Sequence, residues 1–343
     1  MTNITTPETG NALRALLEKL TASPGPAGYE GRIRDVIKAE VEPHVSRVTV
    51  DALGNLIAVK GAKKPGGLRI MLSAHMDEVG IIATHVDKRG YVRFTQMGAV
   101  YPFNCVAARV TFLNGVRGVV NGDRSDDITK VRPLDQLFID VGASSPEDCP
   151  VKVGDVGVFE GSFQTIGKRV VSHALDNRVG CAILIEMIRR IADTPHELTC
   201  VFSTQEEVTI RGVTSAAYAV DPDLGIAIDV TATGDVPGGK MEVGLGKGPA
   251  IKVRDEGMIS DPRVVNLMRS AAEKAHLPHQ MEILKVGTTD ARVIQLARAG
   301  VPAGCLSIPA RYIHSPSEMV DLDDINNVLT LLLELLRNPI ELK

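Results

Sequence analysis

An α/β fold with a mostly parallel or mixed sheet, helices on both faces and an inserted barrel-like β domain is what this sequence predicts. Three observations carry that prediction. Apolar, β-branched runs alternate with amphipathic helical stretches at both ends of the chain, which implies a largely parallel sheet covered on both faces. Between about Val79 and Ile166 the helical period gives way to short alternating runs separated by turn residues. Polar, metal-ligating side chains also stand just after predicted buried strands, where open α/β sheets build their sites. The expected division is an α/β domain from residues 1–76 and 168–343, interrupted by a β-rich insert at 77–167.

Each element follows from its local pattern. Asn11–Leu20 carries apolar residues at 12, 13, 16, 17 and 20, a helical spacing. The rigid turn Ser23–Gly28 separates it from a second helix, Arg32–Val41, stopped by Pro43. Val45–Val50 and Asn55–Lys60 read as strands joined by a turn with Gly54. Leu68–Ala74 is nearly continuous in apolar residues, as a central strand buried on both faces would be. Within the insert, strands are expected at 91–94, 106–112, 118–120, 137–141 and 156–159, and a polar loop at 125–130. After Gly167 come a helix over 177–191, a strand to Ser203, a helix at 213–220 and a buried strand at 224–229. Asp261 then caps a helix that has Pro262 at its first position. A helix at 291–299, a strand at 304–308 and an amphipathic closing helix at 323–336 complete the chain.

Composition narrows the function. Aromatic residues make up 3% of the chain and Trp is absent, so the core is aliphatic and little is available for stacking on bases or sugars. The net charge is −4, from 38 basic and 42 acidic residues without a basic run, which argues against nucleic acid as a partner. The five Cys, at 105, 149, 181, 200 and 305, have no CxxC spacing and read as reduced thiols. Met1–Gly10 lacks the apolar core of a signal peptide, and no run is long enough to span a membrane. The expected location is the cytoplasm.

The chemistry gathers around Ser203-Thr204-Gln205-Glu206-Glu207-Val208. Adjacent residues on an extended chain point to different sides, so one glutamate can bind a metal while its neighbour handles a proton. His75 and Asp77 follow the strand 68–74, Asp176 opens a helix, Asp229 ends a strand, and His314 follows another. Singly, each has a bland explanation: a helix cap for Asp176, a turn for Asp229, an ion pair for Asp77, a surface or core imidazole for each His. Together, two His and three carboxylates form a nitrogen and oxygen ligand set suited to two borderline divalent ions.

Five ordered blocks carry a resemblance. His75-Met76-Asp77-Glu78-Val79-Gly80, Ala174-Leu175-Asp176-Asn177-Arg178, Thr204-Gln205-Glu206-Glu207-Val208, Ile228-Asp229-Val230-Thr231 and Arg311-Tyr312-Ile313-His314-Ser315-Pro316 resemble the signature blocks of the M42 metallo-aminopeptidases. That family includes tetrahedral and glutamyl aminopeptidases, and the resemblance covers nearly the whole chain. It implies that one ion takes His75 and Asp229, the other takes Glu207 and His314, and Asp176 bridges them. Zn²⁺ is the expected metal, with Co²⁺ or Mn²⁺ as alternatives. Glu206 would be the general base and Asp77 would orient His75 through a hydrogen bond. A cis peptide would follow the bridging Asp176. The free α-amine of a peptide substrate would sit near one ion or a carboxylate. Family members dimerise through the insert and often build dodecamers, so self-association is implied.

The chain departs from the family in two places. Thr231-Ala232-Thr233-Gly234 stands where a His is common, and Gly287-Thr288-Thr289-Asp290-Ala291-Arg292 replaces a Gly-Gly-Thr-Asp-Ala-Gly type of block. Asp290 and Arg292 are therefore candidate substrate-pocket residues, with Arg292 able to meet an acidic side chain. Competing readings are a dinuclear zinc carboxypeptidase or N-acyl amino acid deacylase, a glycosidase, and a non-enzymatic assembly subunit. A glycosidase needs two carboxyls roughly 5–10 Å apart and leaves both His and the bridging Asp unexplained. An assembly subunit predicts lost ligands, and all five are present.

Overall fold

The computed structural model describes residues 7–127 and 129–342. Residues 1–6 of the polar N-terminus and residue 128 of the predicted loop at 125–130 lie outside them. Helices α1 (Pro7–Thr21) and α2 (Gly31–Val41) precede strands β1 (Arg47–Val50), β2 (Leu56–Lys60) and β3 (Arg69–His75). The insert follows: β4 (Gly80–Val86), β5 (Val92–Met97), a single turn α3 (Pro102–Cys105), β6 (Arg109–Phe112), β7 (Arg117–Gly122), β8 (Leu137–Asp140) and β9 (Val156–Phe159). The chain continues through β10 (Gln164–Ile166), β11 (Arg169–Ser172), α4 (Leu175–Arg190), β12 (Glu197–Ser203), α5 (Gly212–Val220) and β13 (Leu224–Ala232). It ends with β14 (Ala250–Arg254), α6 (Pro262–Lys274), β15 (Gln280–Ile283), α7 (Ala291–Ile294), β16 (Ala303–Arg311), β17 (Glu318–Asp321) and α8 (Leu322–Arg337).

Eleven strands form one mixed sheet in the order β1-β2-β12-β3-β13-β16-β17-β11-β10, with β14 and β15 branching from β16. Its centre, β12-β3-β13-β16, is parallel. Alternation along these strands feeds two layers. Ile70, Leu72 and Ala74 of β3, and Leu198, Cys200 and Phe202 of β12, pack into the larger core with α1, α2, α4, α6 and α8. Met71 and Val201 face the opposite side, against α5 and α7. Both faces are covered, which is why these strands read as continuous apolar runs.

Strands β4 to β9 close into a six-stranded barrel, in the order β4-β5-β8-β7-β6-β9. Its interior is filled by alternate residues such as Ile81 and Ala83, Val92 and Phe94, Val110 and Phe112, and Leu137 and Ile139. β10 lies in the large sheet, paired with β11. All five Cys are free and buried, and no helix among the described residues is long and apolar enough to cross a membrane.

The sequence pattern did not separate β4, β10, β11, β14, β15 and β17. Strand β17 shows why, because it buries Glu318 and Asp321 along with Val320 and so lacks an apolar run or alternation. The helix expected over 291–299 is one turn long, and its continuation is broken by left-handed backbone at Arg298 (φ 52°) and Gly300 (φ 101°).

Candidate metal centre

Strand order places the site. The chain runs from β3 to β12 on one side of it and then to β13 on the other, so a crevice opens at the carboxyl ends of these strands. Register deepens the crevice. β3 pairs with β12 up to Ser203↔His75, but with β13 only up to Ala227↔Ser73. β13 then stays with β16 as far as Ala232↔Ala310. Where β3 and β13 part, His75 and Asp229 face one gap. Asp176 enters it from the start of α4, where the Asp176–Asn177 peptide is cis. Glu206 and Glu207 arrive from the turn after β12, and His314 from the loop after β16.

All five predicted ligands come together. His75 Nε2 lies 3.0 Å from Asp176 Oδ1 and 3.5 Å from Asp229 Oδ1. His314 Nε2 lies 3.3 Å from Asp176 Oδ2 and 3.2 Å from Glu207 Oε2. The donors form two groups, His75–Asp176–Asp229 and Asp176–Glu207–His314, each with its atoms within 4.8 Å of one another. Asp176 belongs to both. Asp176 Oδ1 and Glu207 Oε1 are buried and make no hydrogen bond. Buried carboxylate oxygens without donors are costly, and facing imidazole nitrogens they suit a shared cation. The residues present therefore fit two divalent ions. Glu206 belongs to neither group, and its Oε2 is 3.9 Å from His75 Nε2.

The electrostatics record the same crowding of acids. Burial pulls the His75 imidazole down, but Asp229, Asp176 and Asp77 hold it well above its ordinary value. Burial likewise opposes the shift at His314, which Glu207 and Asp176 push up to about 12. Burial raises Glu206 well above the usual carboxylate range, and Asp229, Glu207 and Asp290 add to the shift. Burial also raises Glu207 and Asp229.

Asp77 sits beside His75, but its carboxylate is committed elsewhere. Its Oδ1 and Oδ2 accept from the backbone N–H groups of Glu206 (3.0 Å) and Glu207 (3.1 Å). His75 Nδ1 pairs instead with the Asp77 carbonyl at 3.2 Å, against 3.6 Å to Oδ1. Donation from Nδ1 to that carbonyl would leave Nε2 as the nitrogen able to bind an ion. Three residues that sequence reasoning missed act similarly on backbone. Glu318 accepts from the N–H groups of Asp176 and His314, both at 2.8 Å. Glu30 accepts from Gln205 N–H at 3.0 Å, and Asn55 Oδ1 from Thr204 N–H at 2.9 Å. The only sequence signal for Glu318 was its place four residues after His314, and for Glu30 its place after the rigid turn.

A cavity of about 890 Å³ lies over the two groups. Ile210, Leu284, Val286 and Leu296 give it an apolar wall, and Glu256 and Arg292 add charge. Arg292 is exposed, and its guanidinium has no hydrogen-bond or ion-pair partner among the described residues. Asp290 is buried and absent from the lining. Its Oδ2 accepts from Ser203 Oγ at 2.6 Å, its Oδ1 has no partner, and burial raises it to about 7. The insert reaches the same cavity. Tyr101 stacks on His314 with ring centroids 6.1 Å apart, and Asn104 Nδ2 donates to the His314 carbonyl at 3.1 Å.

The family model described as M42 glutamyl aminopeptidase matches residues 54–331. The chain belongs to the M42 family of peptidases. A curated relative from Acetivibrio thermocellus is 44% identical over 322 residues, 93% of this chain and 97% of its own. Among solved structures, an aminopeptidase from the archaeon Desulfurococcus kamchatkensis superposes with a TM-score of 0.92 at 36% identity, covering 96% of this chain and 95% of that one. The Pyrococcus horikoshii TET1 peptidase, which can assemble into a tetrahedron or a large octahedral shell, matches with a TM-score of 0.86 at 32% identity, over 95% and 99% of the two chains. This M42 chain is accordingly an aminopeptidase, a hydrolase acting on peptides.

Proposed function

We propose that the chain removes N-terminal residues from peptides at a dinuclear metal centre, with Glu206 as general base. The observation that carries this reading is Asp176, whose two oxygens face His75 and His314 while Asp229 and Glu207 flank them. His75 and Asp229 would hold one ion, Glu207 and His314 the other, and Asp176 both. Two such ions, Zn²⁺ foremost and Co²⁺ or Mn²⁺ as alternatives, would supply Lewis acidity, lowering the pKa of a water and polarising a carbonyl. The protein's own groups do the rest. Glu206 takes a proton from the attacking water and delivers it to the amine that leaves. Asp77 keeps the 206–207 backbone in place. Membership of the M42 family and likeness to aminopeptidases set this reading above a carboxypeptidase or deacylase.

Arg292 is proposed as a contact for an acidic substrate side chain, and Asp290 as a group beneath the pocket. We further assign residues 77–167 as the oligomerisation domain between the catalytic segments 1–76 and 168–343, with the barrel strands at its centre. The chain would dimerise through it and assemble further; the similar TET1 peptidase can assemble into a tetrahedron or a large octahedral shell. Such an enzyme would work on peptides in the cytoplasm, with no nucleic acid or membrane partner. The test is a panel of aminoacyl chromogenic substrates and N-blocked counterparts, assayed after chelation and after return of Zn²⁺, Co²⁺ or Mn²⁺. The reading requires metal-dependent cleavage of free-amine substrates alone. Cleavage confined to blocked peptides, or unaffected by full metal removal, would overturn it.

A further inference from the structure

The turn that carries the two glutamates has an unusual backbone. Thr204, Gln205, Glu206 and Glu207 leave β12 in sequence, and Gln205 is left-handed at φ 55°. Non-glycine residues enter that region only at a cost. Four successive backbone N–H groups in this turn are each taken by a side chain from another part of the fold. Asn55 Oδ1 takes Thr204, Glu30 Oε1 takes Gln205, and the two oxygens of Asp77 take Glu206 and Glu207. The carbonyls of Thr204, Gln205 and Glu206 accept in turn from Gly212, Arg211 and Ile210. The turn is thus fixed at both its donors and its acceptors.

Glu30 is the remote member of this set. It lies 175 residues before Gln205, at the N-cap of α2, and makes no side-chain cap there. It is 3% exposed, and the same Oε1 also accepts from Gly28 N–H at 2.7 Å. A buried carboxylate that caps no helix, pairs with no cation among the described residues and accepts from the Gly28 turn and the left-handed Gln205 ties that turn to this peptide. We infer that Glu30 is a positioning residue for the reaction: it holds Gln205 left-handed, so that Glu206 projects over the two ligand groups, while Glu207 stays held by Asp77. The inference rests on the reading of Glu206 as base. Losing the contact would let the turn relax about the φ of Gln205, and a base misplaced by about 1 Å can cost on the order of 100-fold in rate.

The contact needs an acceptor at the right reach and does not need a charge, which separates three substitutions. In the metal-loaded full chain, Glu30→Ala removes the acceptor and Glu30→Asp withdraws it by one methylene. Both should lower kcat on the order of 10-fold to 100-fold, with KM and metal content retained. Glu30→Gln keeps an amide oxygen in place and should recover most of kcat. Adding Gln205→Gly to Glu30→Ala should restore part of kcat, because glycine adopts positive φ without steric cost. Should Glu30→Ala fail to fold, the ordering of Gln above Asp carries the test alone. Unchanged kcat in Glu30→Ala, a Gln variant as impaired as Asp, or loss of metal in place of kcat would overturn the inference. Glu206→Gln is the control. Full activity there overturns the assignment of the base, whereas an inactive Glu206→Gln beside a fully active Glu30→Ala overturns the role of Glu30 alone.

Discussion

Glu206 and Glu207 are neighbours with the same side chain, and the structure predicts that they fail in different ways. Glu207 Oε2 is 3.2 Å from His314 Nε2 and belongs to a ligand group with Asp176. Glu206 Oε2 is 3.9 Å from His75 Nε2 and belongs to none. Their backbone N–H groups are held by the same carboxylate, that of Asp77, so neither Gln variant disturbs the turn. Glu206→Gln removes a proton acceptor and no ligand. It should keep both ions and its KM but lose about 10²–10⁴-fold in kcat, which corresponds to about 2.7–5.4 kcal/mol of transition-state stabilisation. Glu207→Gln replaces an anionic donor with a neutral one. Losing an outer partner of a ligand already weakens metal binding by about 10–100-fold, so losing a ligand's charge should cost at least that. Excess metal should then restore part of the Glu207→Gln activity and none of the Glu206→Gln activity. Metal content by mass spectrometry, metal titration and steady-state kinetics on one aminoacyl substrate read all of this. If Glu206→Gln loses an ion while Glu207→Gln keeps two, the roles are exchanged. Full activity in both variants would refute a dinuclear mechanism here.

Three further outcomes are expected. The metal-free protein should melt at progressively lower temperature from about pH 5 to about pH 9. The contribution of Asp290 is complete below its unfolded value of 3.8 and is lost as pH rises through about 7, while that of His314 is complete below 6.5 and is lost towards about 12. Both slopes have the same sign, added metal should raise the melting point most at the alkaline end, and a flat or rising metal-free profile would contradict the charge assignment. Arg292→Ala should lower kcat/KM for Glu-substrates by about tenfold or more relative to Leu- and Lys-substrates, the weight of one charge-assisted hydrogen bond, and unchanged relative rates would remove Arg292 from specificity. Light scattering at micromolar concentration should give a mass above that of a dimer, and a monomer would contradict assembly through the insert.

What the sequence made legible, and what it hid, follows from how each feature is encoded. Leu68–Ala74 and Glu197–Ser203 announce themselves because burial on both faces demands an unbroken apolar run. The candidate ligands were legible because open α/β sheets build their sites where such runs end. Asp229 shows the limit of that signal. It reads as a strand terminus, but β13 continues to Ala232, because its partner past Ala227 is β16 alone. The residues that hold the site's backbone were less visible. Glu30, Asn55 and Glu318 meet their partners across 175, 149 and 142 residues, and a contact between a side chain and a distant peptide N–H leaves no period and no paired residue type. The role of Asp77 was hidden for the same reason. The resemblance implies a carboxylate–imidazole bond to His75, while the Asp77 oxygens accept from two amides of the turn after β12.

These contacts also explain how so many acids share one crevice. Asp77, Asp176, Glu206, Glu207, Asp229, Asp290 and Glu318 crowd around two imidazoles, and like charges at this density repel strongly in a partly desolvated site. Two arrangements make the crowding tolerable, and they divide the acids by task. Asp77 and Glu318 point both oxygens at backbone N–H groups, whose dipoles offset their charge without drawing on any ion. Asp176 and Glu207 each keep a buried oxygen that accepts no hydrogen bond from the backbone. A shared cation would answer those two, provided that the first set holds the second rigidly enough for their oxygens to converge. The carboxylates that touch backbone are therefore what turns an acidic crevice into a binding geometry. Removing Asp77 or Glu318 should loosen the ligands and thereby weaken metal binding, even though it would also relieve repulsion.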